Sequence, residues 1–273
     1  MSEAEDPRAV GAARPPGGGF VASQSGKRTA LEVGVVVLGI VLLLLGLRGC
    51  SGCLANVITD QLPPQADEKL GKVAADSMRA EYGVKGGAVT DEQRARADRI
   101  FEELRSALKP GEARILIAPR LTVVADPQVN AFALPGGEVF VLTGLLDRTR
   151  EDDDMLRGVL AHELGHAVHR HGVRALVRRG VYGVGLALVL GGTDDALTTL
   201  VAGASQLDQL GYSRSMEEEA DEFGVDLMKR TGHDVEGLAR FLGSLESAPV
   251  PALLSTHPDS KERAKTIRER AKR

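Results

Sequence analysis

The 273-residue chain lacks the features of several common functional classes. It has no tryptophan and only 3% aromatic residues, and its 34 basic side chains do not outnumber its 38 acidic ones. Because nucleic-acid surfaces need a basic excess and stacking platforms need aromatic rings, we expect no nucleic-acid partner and no aromatic carbohydrate platform. Its two cysteines exclude a disulfide scaffold and a cysteine-rich zinc module. Any metal site must therefore use histidine and carboxylate side chains.

The N-terminal part differs in composition from the rest of the chain. Residues 1–29 are rich in proline, glycine and serine without apolar periodicity, which predicts a disordered tail. Val33 to Leu47 is a run of fifteen residues without a polar side chain. With its flanks, the segment 30–49 approaches the ~30 Å of a bilayer core. We therefore predict one N-terminal membrane helix, which is either a retained anchor or a signal segment.

The charges around this segment predict its orientation. Arg14, Lys27 and Arg28 precede it, whereas Arg48 alone follows closely, so the positive-inside rule places the body outside the cytoplasm. This would be the periplasmic side of the inner membrane in a bacterium. The sequence ending at Cys50 resembles a lipobox except for Arg48, so a lipoprotein is an alternative. A soluble core helix is disfavoured because the run is not amphipathic.

The remaining chain predicts a linker at 50–65 and one globular domain at 66–273. Its pattern indicates an α+β fold that is mostly helical, with a small β-sheet. Helices are predicted at 67–81, at 91–108 with Thr90 as N-cap and Pro110-Gly111 as terminator, from 152 to about Gly172, and at 214–229. Extended segments are predicted at 115–117, 121–125, 131–133 and 139–143, the last two flanking a glycine-containing turn.

The sequence His162-Glu163-Leu164-Gly165-His166 carries the chemistry. His162 and His166 are four residues apart on a predicted helix, so both imidazoles project from one face and can share a metal ion. Glu163 lies beside that face and can reach a water molecule on the metal. Zinc suits this set, because it accepts nitrogen and oxygen ligands and activates water. Such a pentapeptide arises by chance in roughly one chain in a hundred of this length, so other residues must support it.

A later acidic segment offers a third ligand. Glu217 and Asp221 are four residues apart and share a helix face. Glu217 could complete the zinc site, and Asp221 could accept the second ring N–H of a histidine ligand. The alternative is a solvated acidic helix start, which is how we interpret the neighbouring glutamates Glu218, Glu219 and Glu222.

Four blocks together resemble metallopeptidase family forty-eight, a family of zinc gluzincins, over residues 66–270. The blocks are Asn130 to Gly137 with Val139 to Leu146, Leu160 to His166 with Arg170 and His171, Ser213 and Arg214 with Glu217, Ala220 and Asp221, and Thr256 to Pro258 with Arg263. The resemblance implies a gluzincin-type domain at 66–273, with the small sheet beside the active-site helix. A single N-terminal membrane segment is more similar to the exported branch of the family.

The resemblance implies the site roles. His162, His166 and Glu217 would hold one Zn²⁺ per chain, Asp221 would orient a ligand, and Glu163 would assist attack of zinc-bound water on the scissile carbonyl. His257 would lie near the metal, as an oxyanion donor or as a displaceable extra ligand. Tyr212 and Arg214 are alternative donors, and a loop histidine bonded to backbone is the alternative interpretation of His257. His171 matches a family position without a chemical role.

A strand near the predicted site could bind substrate. Asn130, Ala131, Phe132 and Ala133 could present a free strand edge that pairs with extended peptide, which predicts broad specificity for unfolded proteins. The alternative is an ordinary buried hairpin. The insert 173–210 contains a ten-residue apolar run at 181–190, too short to span a bilayer, and we predict a packed helical hairpin there.

These observations predict a membrane-anchored zinc endopeptidase that acts on peptide or unfolded protein substrates, with envelope protein quality control as the purpose that the family implies. One alternative is a zinc-stabilised chaperone or binding module with little proteolysis. A second is a prenyl-peptide protease that faces the cytoplasm.

Overall fold

The computed structural model describes residues 51–84, 88–116, 119–180, 192, 194, 198, 200–201, 211–247, 251–258 and 260–272. The predicted tail 1–29, the predicted membrane helix 30–49, Cys50 and the apolar run 181–190 lie outside the described residues. None of the helices in the described ranges has the length and apolar character needed to cross a bilayer.

Helices dominate the described chain, with one three-stranded sheet, as the sequence predicts. In chain order the elements are α1 Ser51–Gln61, α2 Pro64–Val84, α3 Asp91–Ser106, α4 Pro110–Ile115, β1 Arg120–Val124, β2 Ala131–Ala133, β3 Glu138–Leu142, α5 Thr143–Arg148, α6 Asp153–Val168, α7 His171–Arg179, α8 Arg214–Thr231, α9 Gly237–Ser247, α10 Pro251–Thr256 and α11 Ser260–Ala271. The stretch 50–65, which we predicted as a linker, contains α1.

The sheet has β3 in its centre, and both of its faces are covered. β1 runs parallel to β3 and β2 runs antiparallel to it. Val139 and Val141 belong to a core with α3, α6 and α8. Phe140 and Leu142 belong to a second core with α1, α2 and α7. Since β3 is buried on both sides, its sequence is an apolar run after Glu138 rather than an alternating pattern.

Helix α6 carries the histidine–glutamate motif and is almost entirely buried. The carboxylate of Asp152 caps its N-terminus by accepting the N–H groups of Asp154 and Met155. Helix α8 approaches α6 closely, because a Cβ on Gly165 would lie 2.9 Å from the carbonyl oxygen of Ala220. Glycine at this position therefore sets the distance between the two helices that carry the predicted ligands.

Helix α6 ends earlier than predicted. Arg170 adopts φ 56°, in the left-handed region, and the chain turns there into α7, so the helix does not continue to Gly172. The guanidinium of Arg170 makes a bidentate contact with Asp67, with Nε 2.8 Å and Nη2 2.7 Å from the carboxylate oxygens. It also donates to the carbonyls of Thr59 and Leu62, at 2.9 and 3.2 Å. These bonds stabilise the turn and attach the junction between α1 and α2 to it.

One prediction between α3 and β1 is wrong. Helix α3 ends at Ser106, ahead of Pro110 as predicted, and Pro110 occupies the first turn of α4, where its missing N–H costs no hydrogen bond. Ile115 closes α4 instead of opening a strand. The short apolar run was ambiguous, because periodicity does not separate a short strand from a short buried helix.

Candidate metal centre

Four buried side chains from three parts of the fold converge on one point. His162 and His166 come from α6, Glu217 from α8 and His257 from the residue after α10, and one ligand atom of each lies within 4.8 Å of the others. The Nε2 atoms of His162 and His166 are 2.9 Å apart. The carboxylate oxygens of Glu217 lie 3.5 Å from His166 Nε2 and 3.6 Å from His162 Nε2. The fold thus brings the three predicted ligands together, with His257 beside them.

Close packing of α6 and α8 explains how Glu217 reaches the histidines. A Cβ on Gly224 would come 3.3 Å from the backbone nitrogen of His162. Glu217 lies two helical turns before Gly224, and its side chain is 1% exposed. The packing of α8 against α6 therefore brings Glu217 next to His166, although the two residues are 51 positions apart in the sequence.

The ring of His257 lies inside the cluster. Its Nδ1 atom is 3.1 Å from Glu217 Oε1 and 3.4 Å from His162 Nε2, and its Nε2 atom is 3.6 Å from Glu163 Oε1. The backbone holds it there: the His257 N–H donates to Leu253 at 2.8 Å. The alternative interpretation, a loop histidine whose ring bonds to backbone, does not describe this environment.

Asp221 and Arg263 form a second layer behind His162. Asp221 Oδ1 lies 2.9 Å from His162 Nδ1. Arg263 donates to both oxygens of the same carboxylate, at 2.8 and 2.7 Å, and its Nη1 forms an ion pair with Glu217. Burial raises the pKa of Asp221, but the bonds from Arg263 and His162 outweigh burial and hold the pKa well below its ordinary value. Sequence reasoning placed Arg263 only within a family block and gave it no role.

Glu163 is buried next to the sheet. Its Oε2 accepts the backbone N–H of Ala133 at 3.1 Å. Burial raises the pKa of Glu163, although His257 and His162 act in the opposite direction. A cavity of about 20 Å³ lies beside Glu163, His162 and His257, and a water molecule needs roughly 10–15 Å³ of such volume. A carboxylate with a raised pKa beside space for water is suited to accept a proton.

Strand β2 has a closed edge in this structure. Phe132 pairs with Phe140 of β3, so the N–H groups of Ala131 and Ala133 point to the other side. The side chain of Asn130 accepts the first at 3.0 Å, and Glu163 accepts the second at 3.1 Å. All four residues from 130 to 133 are buried. The predicted substrate strand thus borders the site, with both outward donors already bonded.

The two alternative donors differ in position. The ring of Tyr212 stacks on His166, with centroids 3.9 Å apart and an interplanar angle of 21°. Burial raises the pKa of Tyr212, and the carboxylates of Glu163 and Glu217 raise it further. Arg214 is exposed and lines an open cavity of about 300 Å³ on the outer side of Glu217. Tyr212 therefore touches a predicted ligand, whereas Arg214 lies at the periphery.

Sequence reasoning missed one contact of His166. The Nδ1 atom of His171 lies 2.9 Å from His166 Nδ1, and the Nε2 atom of His171 lies 3.1 Å from Glu219 Oε2. Glu219 also accepts from Arg174 at 3.2 Å, so it is not merely a solvated side chain. Burial lowers the pKa of His171 to about 4, despite the bond to Glu219.

A histidine–glutamate motif on a buried helix, a carboxylate from a second helix and a small sheet beside them define a metallopeptidase class. Residues 92–271, well over half of the chain, match Peptidase family M48. The chain belongs to this family, and the resemblance found in the sequence is confirmed.

Three similar proteins carry protease names. "Mitochondrial metalloendopeptidase OMA1" of Arabidopsis thaliana is 37% identical, over 55% of this chain and 31% of the relative. "Metalloprotease YcaL" of Escherichia coli is 36% identical, over 54% of this chain and 60% of the relative. "Beta-barrel assembly-enhancing protease" of Escherichia coli is 31% identical, over 55% of this chain and 34% of the relative. The chain thus spans less than two thirds of the length of each relative.

Proposed function

We propose that this chain is an endopeptidase that holds one Zn²⁺ with His162, His166 and Glu217. The observation that supports the proposal is the convergence of two imidazole nitrogens and a carboxylate, all buried, from helices that are distant in sequence. Nitrogen and carboxylate oxygen are donors that Zn²⁺ accepts in catalytic sites. Asp221, held by Arg263, would keep a proton on Nδ1 of His162. The unprotonated Nε2 would then be the atom that binds zinc.

Zn²⁺ bound there would lower the pKa of a water molecule and polarise the scissile carbonyl. Glu163 would accept the proton of the attacking water and deliver it to the leaving amine. Its position supports this role, because Oε1 lies 3.6 Å from His257 Nε2 and the side chain lines the small cavity. Exclusion of bulk water by the buried site would strengthen each of these interactions.

His257 has two roles open to it, and one variant separates them. If His257 donates a hydrogen bond to the developing oxyanion, His257→Phe should lower kcat while the metal content stays at one per chain. As an extra ligand, it would occupy the position that water needs, since Nδ1 lies among the ligand atoms. In that case His257→Phe should weaken metal binding or raise the basal rate. Equilibrium dialysis and a peptidase assay on the same samples give both readouts.

For the substrate, we propose an extended segment of an unfolded protein that pairs with β2. Pairing requires that Asn130 and Glu163 release the N–H groups of Ala131 and Ala133, so the peptide backbone would replace two existing bonds. Recognition through the main chain favours broad specificity. Strict cleavage at one sequence motif, without cleavage of denatured proteins, would contradict this substrate class.

We further propose that residues 30–49 anchor the protein and that its domain at 66–273 acts in envelope protein quality control, outside the cytoplasm. The charge distribution around 30–49 supports the orientation, and the similarity to the Escherichia coli β-barrel assembly-enhancing protease supports the setting. Reporter fusions before residue 30 and after residue 273 test the orientation. A C-terminal fusion active only in the cytoplasm would favour the prenyl-peptide alternative.

The central test uses the full chain in detergent, with metal analysis and cleavage of denatured casein. We expect one zinc per chain, activity that chelator removes, and a loss of about 10²–10⁴ in kcat for Glu163→Gln with zinc retained. Glu151→Gln, at an 86% exposed carboxylate, is the matched control and should leave both unchanged. Wild-type protein that binds zinc and suppresses casein aggregation without cleaving it would instead identify the chaperone alternative.

A further inference from the structure

We propose that His171 and Glu219 are positioning residues that set the tautomer and orientation of His166. The inference rests on the proposed role of His166 as a metal ligand. The sequence alone assigns no chemical role to His171 and predicts Glu219 to be a solvated surface side chain.

The hydrogen-bond geometry determines the protonation pattern. His166 directs Nε2 toward His162 and Glu217, and its Nδ1 lies 2.9 Å from His171 Nδ1. Two ring nitrogens at this distance form a hydrogen bond only if one carries a proton and the other accepts it. If Nε2 of His166 binds a cation, that atom carries no proton, so Nδ1 carries it and donates to His171.

The pattern then continues to Glu219. Because His171 accepts at Nδ1, its neutral ring carries its proton on Nε2. That atom lies 3.1 Å from Glu219 Oε2, and the carboxylate accepts a hydrogen bond from this N–H. Each contact thus has one donor and one acceptor, and the opposite direction would place a proton on the nitrogen of His166 that faces the cluster. Glu219 and His171 therefore favour the tautomer that a ligand needs.

Each of the two α6 histidines has its Nδ1 atom connected to a carboxylate, and the two connections, which we call supports, differ in the number of residues involved. His162 reaches a carboxylate directly, through the 2.9 Å contact with Asp221. His166 reaches one through an intervening imidazole. The ring of His171 is 0% exposed, whereas the side chain of Glu219 is 44% exposed and contacts Arg174. The second support thus leads from the cluster to the surface.

The left-handed turn at Arg170 makes the second support possible. Residues five apart on a continuous helix face in different directions, so His166 and His171 would not meet within one helix. At Arg170 the chain leaves α6, and His171 becomes the first residue of α7 with its ring directed back at His166. Arg170 is itself held by Asp67, Thr59 and Leu62.

The test compares His171→Asn with His171→Leu in the full chain. Both side chains branch at the same atom, but only asparagine offers an acceptor near the position of Nδ1. We expect zinc affinity, measured by competition with a chromophoric chelator, to fall about 10–100-fold for His171→Leu and clearly less for His171→Asn. Glu219→Gln, which keeps the shape of a half-exposed side chain, should lose about three- to tenfold. Glu222→Gln, on the exposed face of the same helix, is the matched control and should bind like wild type.

Nitrogen-15 imidazole spectra of the metal-free chain give a readout that does not depend on zinc or activity. Without a cation the carboxylate of Glu219 fixes the direction, so wild type should show His171 protonated at Nε2 and His166 at Nδ1. His171→Leu should convert His166 to a mixture of tautomers. A His171→Leu variant with unchanged affinity and an unchanged His166 tautomer overturns the inference, and so does a Glu219→Gln variant that equals Glu222→Gln. If His171→Leu does not fold, the comparison of Glu219→Gln with Glu222→Gln and the wild-type spectrum still test the inference. Wild type that binds no zinc would refute the proposed function instead, and that result is distinguishable.

Discussion

The guanidinium of Arg263 holds both carboxylate oxygens of Asp221, with Nε 2.8 Å and Nη2 2.7 Å away. The same guanidinium forms an ion pair with Glu217 through Nη1. All three side chains are buried. One cation from α11 therefore balances two carboxylates on α8, one that contacts His162 and one that belongs to the cluster.

We expect Arg263→Gln to destabilise the metal-free protein strongly. Removal of the guanidinium leaves Asp221 and Glu217 buried without their cation, and breaking a buried ion pair from one side costs about 3–5 kcal/mol. Urea denaturation in the presence of chelator measures the free energy of unfolding. Arg268→Gln is the control, because Arg268 is exposed and makes one long bond to the Ala239 carbonyl, at 3.4 Å. Equal stability of the two variants would contradict this account.

We expect Gly165→Ala to separate α6 from α8. The added Cβ would lie 2.9 Å from the carbonyl oxygen of Ala220 and 3.0 Å from its Cα, so the helices must shift, at about 1–3 kcal/mol. Because the contact lies between the histidines and Glu217, zinc affinity should fall as well. Gly83→Ala, where a Cβ meets nothing within 4 Å, should be neutral or slightly stabilising. Thermal denaturation with and without zinc checks both, and unchanged affinity in Gly165→Ala would refute the geometric argument.

We expect Asp67→Asn to loosen the attachment of α1 and α2. Asp67 is 1% exposed and pairs with Arg170, and burial raises its pKa despite that pair. The loss of stability should therefore come from the weakened bonds of Arg170 and cost about 1–3 kcal/mol. Asp76→Asn on the same helix is 63% exposed and should cost less than about 1 kcal/mol. Hydrogen exchange of residues 59–67 should accelerate only in the first variant. Protection equal to wild type would show that other contacts hold this junction.

We expect the ionisation of Asp152, the N-cap of α6, to make the free energy of unfolding depend on pH. Bonds from Arg240 lower the pKa of Asp152, and the helix N–H groups of Met155 and Asp154 add to this, although burial opposes them. Since the folded pKa lies below the unfolded value of about 3.9, the ionised cap stabilises the fold above pH 4 and loses this effect as pH falls through the folded pKa.

The measurement compares the unfolding free energy of wild type and Asp152→Asn from pH 7 to pH 3. Asparagine keeps the cap but not the charge, so a difference of about 1 kcal/mol at pH 7 should vanish at low pH. Asp226→Asn, at an exposed acid of α8, should follow wild type throughout. A difference between wild type and Asp152→Asn that does not shrink as pH falls below 4 would show that charge is not its source.

Local signals in the sequence predicted the local structure well where one interaction determined it. Thr90, the predicted N-cap, begins α3, and the acidic run from Asp152 begins α6 as predicted. The structure adds that Gln93 completes a capping box with Thr90 and that Asp152 is itself the N-cap of α6. The end of α6 was not predictable, since it depends on Arg170, whose left-handed conformation is stabilised by partners more than a hundred residues away in sequence.

The sequence predicted the family through the resemblance of four blocks, and its patterns predicted the mostly helical class with a small sheet. Residue spacing predicted the pairing of His162 with His166, because helical periodicity places residues four apart on one face. The tertiary structure brings Glu217 and His257 to the same point, which spacing left open and only the family resemblance implied. It alone decided that Arg263 balances two carboxylates and that His171 supports His166. These relationships join residues from different helices, and the packing that joins them arises from the whole core, which no local pattern encodes.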